Sequence, residues 1–326
     1  MDIQNPKIEF YKTRKVSEIL GDTFAFLRQD WRVQLKYFCY LALPASIILG
    51  FFYSRFMTFY MNALGLSTQS EDISSLISFV VTALLSCVGL IVASIILYAI
   101  TYALIKLYRQ RDNGLEALDN EQFMPTFKSC LRRAGWFALN SVVLFFLIAI
   151  ILGCVVAVFA VIMAGVSDGG TGLILPILLF ILLIYFAFLG LLLPLALLTP
   201  IYMMEEISYW KAVRQAYRYG MRLWGTLFVT MFVVGLLIHV AQMVFVMPFY
   251  ISVFLKTVLL GQGESDGSLV LTLFGYASSV LLCFGILLSS YVIMIATTIF
   301  YGHASDKIDG KGVAGKIERF DEFDAF

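Results

Sequence analysis

The sequence predicts an all-α membrane protein with six transmembrane helices, three amphipathic interfacial helices on the cytoplasmic side, and a three-fold internal repeat. Three observations lead there. Hydrophobic residues make up 60% of the 326 and charged residues only 14%, against roughly 45–50% and about 25% in soluble domains. Six apolar stretches are each long enough to cross a bilayer, which takes about 20 residues. The Lys and Arg residues are sorted to one side of those stretches. A water-soluble chain of this composition would lack the charge to cover its surface, and a disordered one would be poor in Leu, Ile, Val and Phe. The net charge of +1 gives no bias toward nucleic acid.

At the N-terminus, MDIQNPKIEFYKTRKVSEIL is polar and charged. It lacks the apolar core of a secretory signal, so insertion is expected to rely on the first true span. The six candidate spans lie near 37–60, 74–105, 136–164, 173–203, 225–256 and 269–301. The second would be roughly 48 Å long at 1.5 Å per residue, so it must tilt, kink or project beyond the bilayer. Pro44, Pro176, Pro194, Pro200 and Pro248 fall in or beside spans, where freed carbonyls need new partners. Transmembrane strands are excluded, because they are about ten residues long and alternate polar with apolar.

Of the 23 Lys and Arg residues, only Arg55 and Lys256 fall on the side of the 61–73, 165–172 and 257–268 loops. The positive-inside rule puts the other side, with both termini, in the cytoplasm. The opposite loops are short and carry Glu71, Asp72, Asp168, Glu264 and Asp266.

Each inner segment holds an amphipathic stretch that leads into a tryptophan and then a span. In the first, Val16, Ile19, Leu20, Thr23, Phe24, Leu27 and Trp31 follow helical spacing; in the second, Phe127, Cys130, Leu131 and Ala134 precede Trp136, with Pro125 fit for a first turn. In the third, Trp210, Val213, Tyr217, Gly220, Met221 and Trp224 do so, with Ser208 as N-cap. The opposite faces are basic: Arg28 and Arg32, then Lys128, Arg132 and Arg133, then Lys211, Arg214, Arg218 and Arg222. Such helices lie in the membrane interface with the apolar side down. The even spans support a repeat, since Thr101, Thr199 and Thr297 are each 98 residues apart. An offset of 196 also pairs Cys87 with Cys283, Gly89 with Gly285, Ala93 with Ser289 and Ser94 with Ser290. The predicted units are 1–108, 109–205 and 206–303, each an interfacial helix and two spans, followed by a flexible cytoplasmic tail over 304–326.

His239 and Gln242 lie mid-span, three residues apart, and form the candidate intramembrane polar site. They suit either a proton or polar-substrate site, or simple interhelical hydrogen bonding. The basic residues Lys128, Arg132, Arg133, Lys211, Arg214, Arg218 and Arg222 are the candidate contacts for anionic lipid or a partner. Glu205 and Glu206 adjoin this charge and are expected to neutralise part of it. The run from Gly310 to Ile317 matches G-x-x-x-x-G-K but carries Ile317 where a P-loop needs Ser or Thr. No strand is predicted before it, so no nucleotide site is expected. Beyond it, Phe320, Asp321, Glu322, Phe323, Asp324 and Phe326 form an acidic-aromatic end suited to docking.

Tyr98, Tyr102, Tyr108, Tyr202 and Tyr301 are expected in aromatic belts, and Gly89 with Ala93 and Gly285 with Ser289 at close helix contacts. The cysteines Cys39, Cys87, Cys130, Cys154 and Cys283 form no CxxC pair and are expected to pack as small apolar residues. With two histidines in the chain, no triad or zinc site assembles, so no catalytic residue, metal or cofactor is expected.

The runs SEILGDTFAFLRQDWRVQLKYFCYLALP and ISYWKAVRQAYRYGMRLWGTLFV resemble a family of uncharacterised bacterial multi-pass inner-membrane proteins. They are similar to the membrane domain that accompanies some bacterial glycerophosphodiester phosphodiesterases. The resemblance implies basic amphipathic helices alternating with paired spans. The phosphodiesterase activity does not carry over, because its His-Arg start motif is missing here. The expected role is non-enzymatic: a scaffold or accessory subunit of an envelope complex in the bacterial inner membrane, meeting lipid or a cytoplasmic partner. The alternative is a transporter or lipid-handling protein with a cavity near His239.

Overall fold

The computed structural model describes residues 7–63, 73–111, 114–115, 118–166, 174–261 and 269–312. Among these residues every regular element is helical. They are α1 (Val16–Gln29), α2 (Trp31–Ala63), α3 (Ile73–Gln110), α4 (Asn120–Val166), α5 (Ile174–Leu192), a 3-10 turn (Leu193–Leu197), α6 (Leu198–Glu205), α7 (Tyr209–Arg222), α8 (Trp224–Gly261) and α9 (Leu269–Asp309). Six stretches are long and apolar enough to cross a membrane: Trp31–Met57, Ile77–Gln110, Asn120–Phe159, Leu178–Glu205, Trp224–Lys256 and Leu269–Asp309. They overlap the six predicted spans one for one. The acidic outer-loop residues lie outside the described residues.

Two extents differ from expectation. The second predicted interfacial helix is not a separate element, because α4 runs unbroken for 47 residues, roughly 70 Å. In contrast, α1 and α7 each end at one residue outside the helical range, Asp30 (φ −125°, ψ 35°) and Leu223 (φ −118°, ψ 28°), directly before Trp31 and Trp224. The carbonyls of Asp30 and Leu223 then start the next helix by accepting from Gln34 N and Leu227 N. No such break precedes Trp136. Pro125 sits beyond the first turn, because the Asp119 carbonyl already accepts from Gln122 N and Phe123 N. The second difference is at the C-terminal end. The segment predicted as tail from 304 continues α9 to Asp309, with Ala304 and Ser305 buried.

By contacts the chain forms two compact units. The first comprises 1–10, 14–134 and 230–299, the second 11–13, 135–229 and 300–326. The divisions follow packing and fall inside α4, α8 and α9.

In the first unit, α9 packs against α2 and α8. The α2–α9 approach is close at Gly50, where a Cβ would lie 2.6–2.8 Å from Val280 side-chain and backbone atoms. Tyr276 Oη donates to the Ile47 carbonyl on α2 at 3.1 Å. A buried chain links three elements: Tyr291 Oη donates to Gln34 Oε1 at 2.9 Å, and Gln34 Nε2 donates to the Phe26 carbonyl at 2.7 Å. Between α8 and α9, Ser278 donates to Ser252 and Ser289 to Gln242. Small and polar residues of this kind hold membrane helices together, since apolar burial alone gains little against lipid. A Cβ on Gly89 would meet Leu49, and one on Gly285 would meet Phe245. The two contacts are related by the same 196-residue offset.

At one end of this unit, Phe10, Phe26 and Tyr108 form an edge-to-face cluster. Arg14 fastens the N-terminal segment: its side chain is 1% exposed, Nε pairs with Asp22 at 2.6 Å, and its other nitrogens donate to the carbonyls of Phe10 and Glu9. A buried guanidinium needs this many acceptors to be tolerated.

In the second unit, α5 gives way to the 3-10 turn at Pro194. Proline has no N–H, so it leaves the Gly190 carbonyl without its helical donor. Trp224 Nε1 donates to that carbonyl at 3.3 Å, and Tyr217 Oη donates to the neighbouring Leu191 carbonyl at 3.1 Å. Side chains thus restore what the proline removes. Gly220 allows α7 to rest on Pro194, since a Cβ there would lie 2.5–2.6 Å from Pro194 atoms. Trp224→Phe is expected to lower stability by about 1 kcal/mol, the value of one hydrogen bond to a carbonyl that Pro194 leaves without a helical donor. Thermal melting of the detergent-purified variant checks it; an unchanged melt would show that the indole N–H contributes nothing.

Candidate functional site

The densest polar cluster among the described residues lies in the second unit, where α6, α7, the end of α9 and residues 11–13 meet. Three carboxylates organise it. Glu205, at the end of α6, accepts from Tyr301 Oη and from Lys311 Nζ. Asp309 accepts from Tyr219 Oη and from Arg218. Asp306 accepts from Thr13 Oγ1 at 2.7 Å and from Gly312 N at 2.9 Å. Around them, Tyr11 and Tyr219 pack against the Tyr301 ring, and Gln215 donates to Tyr219 Oη at 2.9 Å.

Local structure places these groups. Glu206 takes the left-handed conformation (φ 55°, ψ 29°) and stops α6, leaving Glu205 at its last position. Gly310 (φ +65°) ends α9 in the same way, its N–H bonding to the Asp306 carbonyl. This is a glycine helix stop. The glycine-rich run that mimics a P-loop begins as a helix cap with a clasped lysine, and its remainder from 313 onward lies outside the described residues.

Each carboxylate here already has two protein donors. The arrangement suits a clasp that fixes the ends of α6 and α9 more than a centre with free ligand positions. Among the described residues no group of three or more His, Cys, Asp or Glu could hold a metal ion.

Burial raises the Tyr219 hydroxyl above its ordinary value near 10, and its bond to Asp309 raises it further. A raised acid is favoured in its neutral form by folding. The stabilisation is therefore complete below pH 10 and is lost as pH rises past the folded value. Alkaline titration of thermal stability should show a decline beginning above pH 10, shallower in Tyr219→Phe. Equal slopes would mean that this hydroxyl does not contribute.

The predicted basic residues fall in both units. Lys211, Arg214, Arg218 and Arg222 are all exposed on α7. At 100° per residue they share an arc of about 80°. The buried side of α7 is a different one, formed by Tyr209, Ala212, Ala216, Tyr219 and Gly220. Between the two lies a third strip, Trp210, Val213, Tyr217 and Met221, of which Trp210 and Met221 are more than half exposed. The helix is three-sided: a buried side of small residues and two tyrosines, an apolar strip, and a basic strip. In the first unit, Lys128 and Arg132 are exposed and Arg133 is half-buried on α4. Lys128 borders a shallow depression of about 660 Å³ lined also by Glu121, Met124, Pro125, Phe127 and Leu131.

His239 and Gln242 are parted by their surroundings. His239 is exposed on α8, whereas Gln242 is half-buried and accepts from Ser289 Oγ at 2.6 Å. Three residues along a helix is a 60° offset, enough to put one at the α9 contact and the other outside it.

Sequence reading passed over Tyr219, Asp306 and Asp309, met Lys311 only as part of the P-loop-like run, and took Glu205 only as a neutralising charge. The one local signal was an acidic pair at the edge of a span. Comparison with known proteins finds no matching family model, no matching curated protein and no matching solved structure.

Proposed function

We propose that this protein is a non-enzymatic subunit or scaffold of an envelope complex in the bacterial inner membrane. Both termini and the basic helices face the cytoplasm, where the basic strips meet anionic lipid headgroups or an acidic partner. The observation that carries this reading is the bareness of the third and fourth spans. In the most apolar windows of Asn120–Phe159 and Leu178–Glu205, 0% and 6% of residues are buried within the chain, against 11% in Ile77–Gln110 and Trp224–Lys256, 33% in Trp31–Met57 and 50% in Leu269–Asp309. Large side chains such as Phe145, Phe146, Ile151, Leu183 and Phe186 are all at least 60% exposed. Spans that hardly pack on their own chain leave helix surface for another protein. The basic, exposed strip of α7 and the three exposed tryptophans ahead of spans, Trp31, Trp136 and Trp224, suit the inner interface.

A repeat of interfacial helix and paired spans underlies this reading. It is supported by the matching breaks at Asp30 and Leu223, and by the Leu49–Gly89 and Phe245–Gly285 contacts at one offset.

Purification of the tagged protein in native nanodiscs, with mass spectrometry of bound proteins and lipids, tests the proposal. A stoichiometric protein partner is expected, lost when bulky or charged residues are placed at Phe146 or Ile150. Recovery of the protein alone, with one enriched small molecule or lipid, would overturn it in favour of a transporter or lipid-handling protein.

A further inference from the structure

Four cations line the exposed strip of α7, and among the described residues only Arg218 pairs with a carboxylate, Asp309 on α9. That pair brings the strip beside the end of α9. The chain then turns at Gly310 and is fastened twice more, Lys311 to Glu205 and Gly312 N to Asp306. It therefore leaves the described residues at Gly312 next to the basic strip and within the same unit.

The C-terminal residues are complementary in charge to that strip. Glu318, Asp321, Glu322 and Asp324 stand against a single Arg319 and alternate with Phe320, Phe323 and Phe326. α7 offers basic residues and, one strip over, exposed Trp210 and Met221. The reach is sufficient. Eight extended residues span up to roughly 26 Å, whereas the strip from Lys211 to Arg222 is about 17 Å long. An anionic membrane surface would repel this segment. Tethering to the strip's own unit gives a local concentration on the order of millimolar, so pairs that are individually weak can hold it.

We propose that the acidic-aromatic segment Glu318–Phe326 docks in cis on the basic strip of α7, covering Lys211 and Arg214. This deepens the proposed function and rests on it: the strip that meets anionic lipid or an acidic partner is occupied by the chain's own acidic segment until a competitor displaces it.

The test is photo-crosslinking in the full chain. A photoreactive residue replaces Phe323, and the protein is held in nanodiscs of neutral phosphatidylcholine. The expected product is a monomer crosslinked between residue 323 and the 210–222 peptide. Its yield should fall about fivefold in Lys211→Glu/Arg214→Glu or in Asp321→Lys/Glu322→Lys, and recover when the two pairs are combined. Recovery in the charge swap shows that the single-sided variants were folded. Crosslinks elsewhere, crosslinks only between two copies, no crosslink, or a yield indifferent to charge reversal would each overturn the proposal. Retention of phosphatidylglycerol by the chain truncated after Ile317 reads the proposed function separately. If the strip retains no anionic lipid while the crosslink stands, the lipid contact fails and the docking holds.

Discussion

Gly50→Leu is expected to force α2 away from α9 and to cost about 3 kcal/mol or more. A Cβ at this position lies 2.6 Å from Val280 Cγ2, and 2.7 and 2.8 Å from Val280 Cα and N. The first contact could relax by a rotamer change, but the other two are backbone and can relax only if a helix moves. Overpacking of side chains typically costs 1–3 kcal/mol, and a clash with backbone belongs at the top of that range or above it. Even Gly50→Ala should destabilise measurably, although alanine is the better helix former by about 1 kcal/mol. Gly153→Leu is the control, since nothing lies within 4 Å of a Cβ there; its melting should match the parent or exceed it. Thermal melting of detergent-purified protein, followed by size-exclusion, distinguishes the cases. If Gly50→Leu melts with the parent, the close α2–α9 crossing is wrong.

Glu205→Leu should cost a similar amount, about 3 kcal/mol, by a different route. The Glu205 side chain is 13% exposed and serves both Tyr301 Oη and Lys311 Nζ. Its loss leaves a buried phenol and a half-buried ammonium without their acceptor, and stranding a partner costs more than the bond itself contributes. Glu205→Gln keeps an oxygen acceptor and should lose only about half as much. At the adjacent, exposed Glu206, a change to Gln should stay within roughly 1 kcal/mol. Limited proteolysis gives a second readout, with faster cleavage beyond Asp309 expected in Glu205→Leu. Stability and cleavage unaltered in that variant would show that the clasp does not hold the end of α9.

Some of this was visible in local sequence and some was not. Two sectors of α7 follow from residues spaced three and four apart, so the exposed basic strip and the apolar strip with Trp210 and Met221 were both readable. The buried sector was not, because Ala212 and Ala216 look ordinary in sequence, and Gly220 reads as part of the apolar strip until Pro194 is seen beside it. Likewise, Gly135 before Trp136 is a poorer helix former than Asp30 before Trp31, yet only the latter marks a break between helices. Asp30 has a reason outside its own helix: its carboxylate accepts from Leu115 N at 3.0 Å. His239 drew attention as an ionisable residue in an apolar run, but its position on α8 depends on where α9 lies.

Composition, apolar length and charge sorting determined by themselves that the chain is helical and many-spanned, and where the spans fall. These are properties of a segment in a solvent, and a bilayer imposes them on any stretch of about 20 apolar residues. Only tertiary structure decided which polar groups meet. Glu205 with Lys311, Asp306 with Thr13, and Gln34 with Tyr291 are separated by 106, 293 and 257 residues. Pairing at such distances leaves no periodicity in the chain, since each group satisfies a partner brought to it by the packing of whole helices.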